Sequence, residues 1–269
     1  MEANKIMTQE ERLDALLKYF LSETKEYNYY EIPDSYSAKR VLLRGILNVR
    51  MPKAVPTDIL LMQDEFLKLE AKEKGIVTLS DIPISEGNIS IWQGDITRLK
   101  VDVIVNAANS EMLGCFIPCH RCIDNAIHTA AGIELRDECN RIMSAKRKKY
   151  GYWYQEETGD AMLTPGFNLP AKYIIHTVGP ICRHRVTEKN KKELVSCYSS
   201  SLHLAREHGL SSIAFPCIST GEFGYPNEEA AIIAIETVRK EGKGFNRIIF
   251  NVFKDLDNEI YHRLLSSGN

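Results

Sequence analysis

Three side chains that can bind a metal ion lie close together in this sequence. Cys115, His120 and Cys122 supply two thiols and one imidazole within eight residues, a donor set that suits zinc. Three protein ligands leave a fourth coordination position open for water or substrate, which is typical of catalytic zinc sites. Cys119 could replace Cys115 as a ligand, and the composition does not choose between them. The alternative is that these cysteines are small buried hydrophobic residues.

The segment that carries these residues lies between a predicted strand and a predicted helix. The run from Val101 to Val105 is short and β-branched, which favours a buried strand. Asn106 and Asn109 follow it, and Ile127 and Ala131 begin a helical pattern after the cysteines. In an open α/β sheet, ligands bind beyond the carboxyl ends of the strands, so this loop is a candidate site.

Two more loops have the character of a binding site. Ser219, Gly221 and Gly224 follow a predicted strand and precede a predicted helix, where free backbone amides can bind a phosphate. Asp95 follows another predicted strand, although an aspartate there is often only a helix cap.

Composition and charge exclude several classes of protein. The 269 residues are 44% hydrophobic and 26% charged, with a net charge of −2, which indicates an ordinary globular protein with no general attraction to nucleic acid or anionic membranes. A positive groove with interleaved aromatic residues is not evident, so single-stranded nucleic acid is not an expected ligand. No apolar run has membrane-spanning length, and the N-terminus lacks the apolar core of a signal peptide. We therefore expect a cytoplasmic protein whose seven cysteines serve as metal ligands or in packing rather than in disulfides.

The first 80 residues differ from the rest and predict a helical extension. Thr8 and Glu11 have the spacing of a capping box, and apolar residues follow at helical intervals. Further helices are predicted over 37–49 and after Pro56, with Thr57 as the N-cap. We divide the chain into an N-terminal helical extension, 1–80, with no visible chemistry of its own, and a main domain, 81–269.

Strand and helix patterns alternate through the main domain, which predicts an α/β fold with a mostly parallel or mixed sheet. Strands are predicted at 88–93, 101–105, 160–163, 173–178, 212–215 and 247–253, and helices after residue 124 and at about 190–208, 227–240 and 255–266.

Five motifs of the main domain, in this order, resemble those of macrodomains, the modules that bind ADP-ribose. They are GDIT at 94–97, VNAAN at 105–109, DNAIHTAAG at 124–132, LPAKYIIHTVGP at 169–180 and FPCISTGEFGYP at 215–226. The resemblance implies a three-layer α/β/α fold with a mixed central sheet and a cleft for ADP-ribose. It also implies substrate-binding roles for Asp95 and Ile96 at the adenine, Ser219, Thr220, Gly221, Glu222 and Gly224 around the diphosphate, Phe223 and Asn109 at the distal ribose, Asn106 beside the cleft, and Phe253 stacked on the adenine.

One loop departs from the pattern of many hydrolytic macrodomains. The glycine-rich loop after the VNAAN strand is here GCFIPCHRC. This loop and the helical extension resemble the zinc-dependent macrodomains of bacteria, which are similar to MacroD-type hydrolases. The resemblance implies zinc, Zn²⁺, held by Cys115, His120 and Cys122 near the distal ribose. It also implies partners of two kinds, sirtuin-like ADP-ribosyltransferases and lipoyl carrier proteins. Glu222 is unexpected in an anion site, so we predict that its carboxylate points away.

The predicted activity is hydrolysis of ADP-ribose from a modified protein side chain, with esters of Asp or Glu as the expected linkage. Asn109 and Asp124 are the predicted catalytic residues. Asn109 would fix the ribose, and Asp124 would act as a general base or orient a zinc ligand, with zinc favoured as the activating group. The alternatives are a non-catalytic reader whose structural zinc is closed by Cys119, and an O-acetyl-ADP-ribose deacetylase. His128 and His176 are expected to be hydrogen-bonded structural residues.

Overall fold

The computed structural model describes residues 7–27 and 29–266. Its α-helices are α1 Gln9–Ser22, α2 Tyr36–Val49, α3 Thr57–Glu73, α4 Ile123–Ala131, α5 Ile133–Tyr150, α6 Glu188–Glu207, α7 Asn227–Glu241 and α8 Asp255–Ser266. Its strands are β1 Val77–Thr78, β2 Ile89–Gln93, β3 Leu99–Lys100, β4 Val103–Ala108, β5 Ala161–Pro165, β6 Tyr173–Val178, β7 Ser212–Phe215 and β8 Arg247–Val252. Among these residues, no helix is both long and apolar enough to cross a membrane.

The main sheet has the order β2-β8-β7-β4-β6-β5. Every neighbouring pair is parallel except β5 and β6, so the sheet is mixed, as predicted. Successive side chains of a strand point to opposite faces, and β4 shows this directly. Val103 and Val105 pack in the core on one face, whereas Ile104 packs in the core on the other.

Helices cover both faces of this sheet. One core is closed by α6, α7 and α8, and the other by α4 and α5. The fold is therefore three-layered α/β/α, as the motifs implied. Because β4 and β7 are parallel neighbours, the loops that follow them leave the sheet at the same edge.

The N-terminal helices α1 to α3 have a core of their own. Leu13, Leu17, Phe20 and Phe66 are fully buried there, and Ile133 from α5 joins the same cluster. The capping box of Thr8 and Glu11 forms as predicted. The helical extension is thus present and packs on the main domain, whereas a division of the chain at residue 80 stays a prediction.

Most element positions agree with the sequence predictions, although the two-residue strands β1 and β3 were not predicted and three further elements differ. Pro56 rather than Thr57 is the N-cap of α3, without a side-chain hydrogen bond. The strand predicted from Val101 begins at Val103 and continues through Asn106. The extent of helix α5 was not predicted, because most of its residues are polar and only five are buried.

Candidate functional site

The loop between β4 and α4, residues 109–122, is called the Cys–His loop below. It brings together the three predicted metal ligands: the ligand atoms of Cys115, His120 and Cys122 all lie within 4.8 Å of one another. The imidazole Nδ1 of His120 is 3.5 Å from the Cys115 sulfur. All three side chains are partly exposed, so a ligand can reach them from solvent.

Cys119 does not join this group. Its backbone is in the left-handed region with φ 54°, and its thiol donates to the carbonyl of Val41 on α2 at 3.5 Å. The sequence left open whether Cys115 or Cys119 was the better candidate ligand. The structure groups Cys115 with His120 and Cys122, and Cys119 faces the N-terminal helices.

Cys122 also begins helix α4. Its sulfur accepts a hydrogen bond from the backbone N–H of Asn125 at 3.4 Å, as an N-cap side chain does. Burial raises the pKa of the Cys122 thiol, and the neighbouring Cys115 raises it further. A divalent cation offsets both effects because it binds the thiolate form. Two thiols and one imidazole with an exposed side therefore fit a zinc ion.

Asn109 holds the beginning of the Cys–His loop. Its side-chain oxygen accepts from the backbone N–H of Glu111 at 3.0 Å, and its amide donates to the carbonyl of Gly114 at 3.2 Å. The side chain is half-buried. Its position directly after β4 is compatible with the predicted contact with the distal ribose. In the structure its side chain bonds only to Glu111 and Gly114 of the loop among the described residues.

A chain of buried polar side chains lies beneath the loop. The amide of Asn106 donates to Asp124 Oδ1 at 2.8 Å and lies 3.1 Å from His176 Nδ1. The other nitrogen of His176 is 3.0 Å from the Thr164 hydroxyl. Asn106 has no exposed surface, because its place inside β4 turns it into the core, and its contact with substrate stays a prediction.

Burial determines the ionisation of this chain. It raises the pKa of Asp124 to about 6, although the hydrogen bond from Asn106 and the charge of Arg136 act in the opposite direction. Burial also lowers the pKa of His176 to about 3. At neutral pH, Asp124 is therefore mostly ionised and His176 is neutral. Asp124 is only 5% exposed, which favours a supporting role over direct proton transfer to bulk solvent.

His128 was expected to be a hydrogen-bonded structural residue, and that expectation is wrong in one respect. Both ring nitrogens are buried, and neither has a hydrogen-bond partner among the described residues. Its Nε2 lies 3.5 Å from Asp124 Oδ1. The ligand atoms of His128, Cys139 and His176 also lie within 4.8 Å of one another, but all three residues are buried.

The loop after β7, residues 219–224, is called the Ser219 loop below. Ser219 and Gly224 have left-handed backbones with φ 66° and 68°. The Ser219 hydroxyl is buried and has no hydrogen-bond partner among the described residues. Within 7–27 and 29–266, no backbone carbonyl accepts a hydrogen bond from the N–H groups of Gly221, Glu222 or Phe223. A loop with one buried hydroxyl and several free N–H groups can bind an anion.

Glu222 joins the two loops. Its Oε1 lies 3.6 Å from His120 Nε2, and its side chain is 71% exposed. The carboxylate therefore points toward the Cys–His loop. Carboxylates commonly accept from the second nitrogen of a metal-binding histidine and orient the ring, and here the first nitrogen of His120 faces Cys115. The contact is the only one that this side chain makes with an ionisable group among the described residues.

The residues predicted to bind adenine also follow the carboxyl ends of strands, at the side of the sheet away from the Cys–His loop. Asp95 follows β2 and Phe253 follows β8, and these strands are neighbours. Asp95 Oδ1 accepts from the N–H and hydroxyl of Thr97, so it caps a short helix, as the sequence allowed. Ile96 is buried, whereas Phe253 is 74% exposed. An exposed ring at this position is available for stacking.

Comparisons with known proteins agree with this architecture. The sequence profile of the Macro domain matches residues 105–234. A protein-ADP-ribose hydrolase from Treponema medium is 45% identical over 267 residues, covering 97% of this chain and 100% of that protein. The chain belongs to the Macro domain family. A protein-ADP-ribose hydrolase from Staphylococcus aureus strain Mu50 is 43% identical over 260 residues, covering 95% of each chain.

A solved macrodomain structure supports the same assignment. A mutant macrodomain from Oceanobacillus iheyensis with ADPR is 38% identical, with a TM-score of 0.60 over 66% of this chain and 92% of that one. The predicted resemblance to macrodomains is thus confirmed, while zinc dependence stays a prediction.

Several residues of this macrodomain that shape the Cys–His loop were not predicted from the sequence. Arg136 of α5 is buried and donates to the carbonyls of Leu113, Leu47 and Arg50 at 2.8, 3.1 and 2.6 Å. Its guanidinium also lies 4.2 Å from the ring centroid of Phe116. Arg44 and Asn48 of α2 contact the loop as well. The sequence offered one signal for Arg44 and Asn48: they lie four residues apart, and therefore on one face, in the predicted helix over 37–49.

Proposed function

We propose that this macrodomain hydrolyses ADP-ribose from mono-ADP-ribosylated protein side chains, with esters of Asp or Glu as the substrates and zinc as the cofactor. The hydrolase class is supported by relatives that are named protein-ADP-ribose hydrolases and that align over nearly the whole chain. The partners that follow are ADP-ribose and ADP-ribosylated proteins, with a lipoyl carrier protein modified by a sirtuin-like transferase as one candidate.

The observation that carries the proposal is the order of sites along one edge of the sheet. The sheet order β2-β8-β7-β4 brings Asp95 and Phe253 to one end, the Ser219 loop to the middle and the Cys–His loop to the other end. Adenine, diphosphate and distal ribose follow one another in the same order in ADP-ribose. The ribose that carries the modified side chain would therefore lie beside the three predicted metal ligands.

Cys115, His120 and Cys122 would hold the zinc ion, which supplies Lewis-acid chemistry for the hydrolysis of the ester. The free amides of the Ser219 loop would bind the diphosphate, and Asn109 would orient the distal ribose. We assign Asp124 a supporting role: it accepts from Asn106 and lies two residues beyond Cys122 at the start of α4. Its buried negative charge interacts favourably with the N-terminus of that helix.

Two other functions use the same site. A reader with a structural zinc requires a fourth protein ligand, and the direction of the Cys119 thiol toward Val41 argues against that candidate. Hydrolysis of O-acetyl-ADP-ribose requires the same pocket and the same chemistry. It differs from the proposed reaction in the acyl group alone, so only a comparison of substrates distinguishes the two.

The test compares the purified protein before and after metal removal. Its metal content is measured, and release of ADP-ribose is assayed with a protein modified on Asp or Glu and with O-acetyl-ADP-ribose. We expect chelation to abolish release and added zinc to restore it, while calorimetry shows that ADP-ribose still binds. Full turnover without metal would contradict the zinc proposal. Binding without turnover of either ester by the zinc-loaded protein would favour the reader.

A further inference from the structure

Helix α2 contacts the Cys–His loop although it supplies no metal-binding side chain. Arg44 donates from Nη2 to the backbone carbonyl of His120 at 2.8 Å. The same nitrogen donates to Asn125 Oδ1 at 2.6 Å, and Nε donates to that oxygen at 3.1 Å. The guanidinium therefore connects a predicted metal ligand to the first turn of α4.

Asn125 extends this contact back into the loop. It is fully buried, and its amide donates to the carbonyl of Ile117 at 3.1 Å. Its backbone N–H donates to the Cys122 sulfur at 3.4 Å. One asparagine thus joins Arg44, the middle of the loop and a second predicted ligand.

One turn after Arg44, Asn48 holds another part of the loop. Its side-chain oxygen accepts from the backbone N–H of Cys119 at 2.9 Å, and its amide donates to the Thr129 hydroxyl at 3.1 Å. Asn48 is only 2% exposed. A buried side-chain amide with both groups paired constrains its partners closely, because each lost hydrogen bond would leave a buried polar atom unpaired. Cys119 is therefore held in its left-handed conformation with its thiol on α2.

We propose that Arg44 and Asn48 are positioning residues for the Cys–His loop, so that the N-terminal helices complete the metal site without providing a ligand. This inference rests on the proposed function and adds a role for the extension. Arg44 fixes the backbone of His120 and the side chain of Asn125, whose backbone N–H donates to the Cys122 sulfur. Asn48 keeps Cys119 out of the ligand set, which leaves one coordination position open.

The same helix contains a matched control. Arg40 lies one turn before Arg44 and forms a bidentate ion pair with Glu70 of α3. Its Nε lies 2.6 Å from Oε1 and its Nη2 lies 2.9 Å from Oε2. This pair joins two N-terminal helices and does not touch the loop. Arg40→Ala therefore weakens the extension, whereas Arg44→Ala weakens its hold on the loop.

The experiment measures zinc affinity, loop protection and folding in the full chain. Zinc affinity is measured by competition with a chromogenic chelator, and the ligand geometry is followed by the visible absorption of the cobalt-substituted protein. We expect Arg44→Ala to weaken zinc binding by about 10-fold to 100-fold, the usual effect of removing a group that orients metal ligands, and to alter the cobalt spectrum. Arg40→Ala should lower the melting temperature and leave zinc affinity unchanged.

Arg44→Lys keeps the charge and covers the case in which the alanine variant does not fold. A single ammonium group cannot reproduce the planar fork that reaches both His120 and Asn125, so we expect weaker zinc binding here too. Hydrogen exchange of residues 115–125 in the metal-free proteins should be faster in both Arg44 variants than in Arg40→Ala.

The outcomes separate the inference from the proposed function. If the unaltered protein binds zinc and the Arg44 variants match it in affinity and loop exchange, the positioning role is wrong and the proposed function stands. If the unaltered protein binds no zinc, the zinc proposal fails. Hydrogen exchange then decides alone whether α2 holds the loop.

Discussion

The Cys–His loop and the Ser219 loop leave the same edge of the sheet, but they are held in different ways. Side chains from α2 and α5 donate to carbonyls of the Cys–His loop, and Asn48 accepts from its backbone. The Ser219 loop is held by main-chain hydrogen bonds, such as those from Gly224 to Gly221 and from Tyr225 to Ser219. In the described part of the chain, its buried hydroxyl has no partner.

The difference indicates a division of labour between the loops. Side chains outside the Cys–His loop bind its backbone at Leu113, Cys119 and His120, so its ligand atoms are positioned before anything binds. The Ser219 loop keeps free donors for an anion. Preorganised ligands favour metal binding and catalysis, whereas unpaired donors favour recognition. Changes in the first loop should therefore alter turnover, and changes in the second should alter affinity for ADP-ribose.

The largest expected effect tests the ligand set itself. Cys122→Ser should lower turnover by more than about 100-fold, because loss of a ligand exceeds the loss of a group that only orients one. Affinity for ADP-ribose, measured by calorimetry, should change little. Cys119→Ser is the matched control: it lies in the same loop, keeps its backbone N–H and faces α2. Equal turnover for both variants would show that the loop has no special ligand set.

The buried chain beneath the Cys–His loop predicts a dependence of stability on pH. Burial lowers the pKa of His176 from an ordinary value of 6.5 to about 3. The unfolded chain therefore binds a proton between these values that the folded protein does not, so stability falls as the pH drops below 6.5. At pH 5 this contribution amounts to about 2 kcal/mol of lost stability.

His176→Gln isolates that contribution, which we would measure by urea unfolding at pH 7 and pH 5. The variant should be less stable at pH 7, because Asn106 and Thr164 lose a buried partner. The difference in unfolding free energy between the variant and the unaltered protein should then be about 2 kcal/mol smaller at pH 5 than at pH 7. Asp124 and His128 titrate in both proteins, so most of their contribution cancels. A difference that is the same at both pH values would argue against a neutral buried imidazole.

Gly224→Ala tests the Ser219 loop. Gly224 has φ 68°, and an added Cβ would lie 2.8 Å from the backbone carbonyl oxygen of Cys182, so the loop must shift. We expect affinity for ADP-ribose to fall by about 10-fold, which corresponds to about 1.4 kcal/mol, with a smaller change in zinc affinity. Gly209→Ala controls for backbone strain, since Gly209 has φ 65° with open space around it. If Gly209→Ala weakened ADP-ribose binding equally, strain alone would explain the result.

The smallest expected effect concerns the contact between the loops. Glu222→Gln removes the charge that lies 3.6 Å from His120 Nε2. Because an exposed charge contributes less than about 1 kcal/mol to a neighbouring group, zinc affinity should fall by about two-fold to five-fold. Glu207→Gln alters a similar exposed pair, with His203 on α6, and should leave zinc affinity unchanged. A loss of 100-fold for Glu222→Gln would mean that Glu222 binds the metal directly, and the two loops would form one site.

Short-range patterns in the sequence predicted much of this fold. The strand Tyr173–Val178 and the helix Asp255–Ser266 lie where the apolar patterns indicated, because burial of one face dictates the spacing of apolar residues. The capping box of Thr8 and Glu11 formed for a similar reason: its partners are three residues apart. The extent of helix α5 was not predicted because its buried face is narrow and the rest of its surface is charged.

The sequence by itself determined which residue types are available at the edge of the sheet: two thiols and an imidazole in one loop, and two hydroxyl side chains and two glycines in the other. Only the tertiary structure decided their directions. The left-handed backbone at Cys119 turns its thiol to α2, and the place of Asn106 inside β4 buries its amide. The contacts of Arg44 join residues 76 and 81 positions apart. Contacts between residues so far apart in sequence depend on how the layers pack, and the local spacing of residues does not predict that packing.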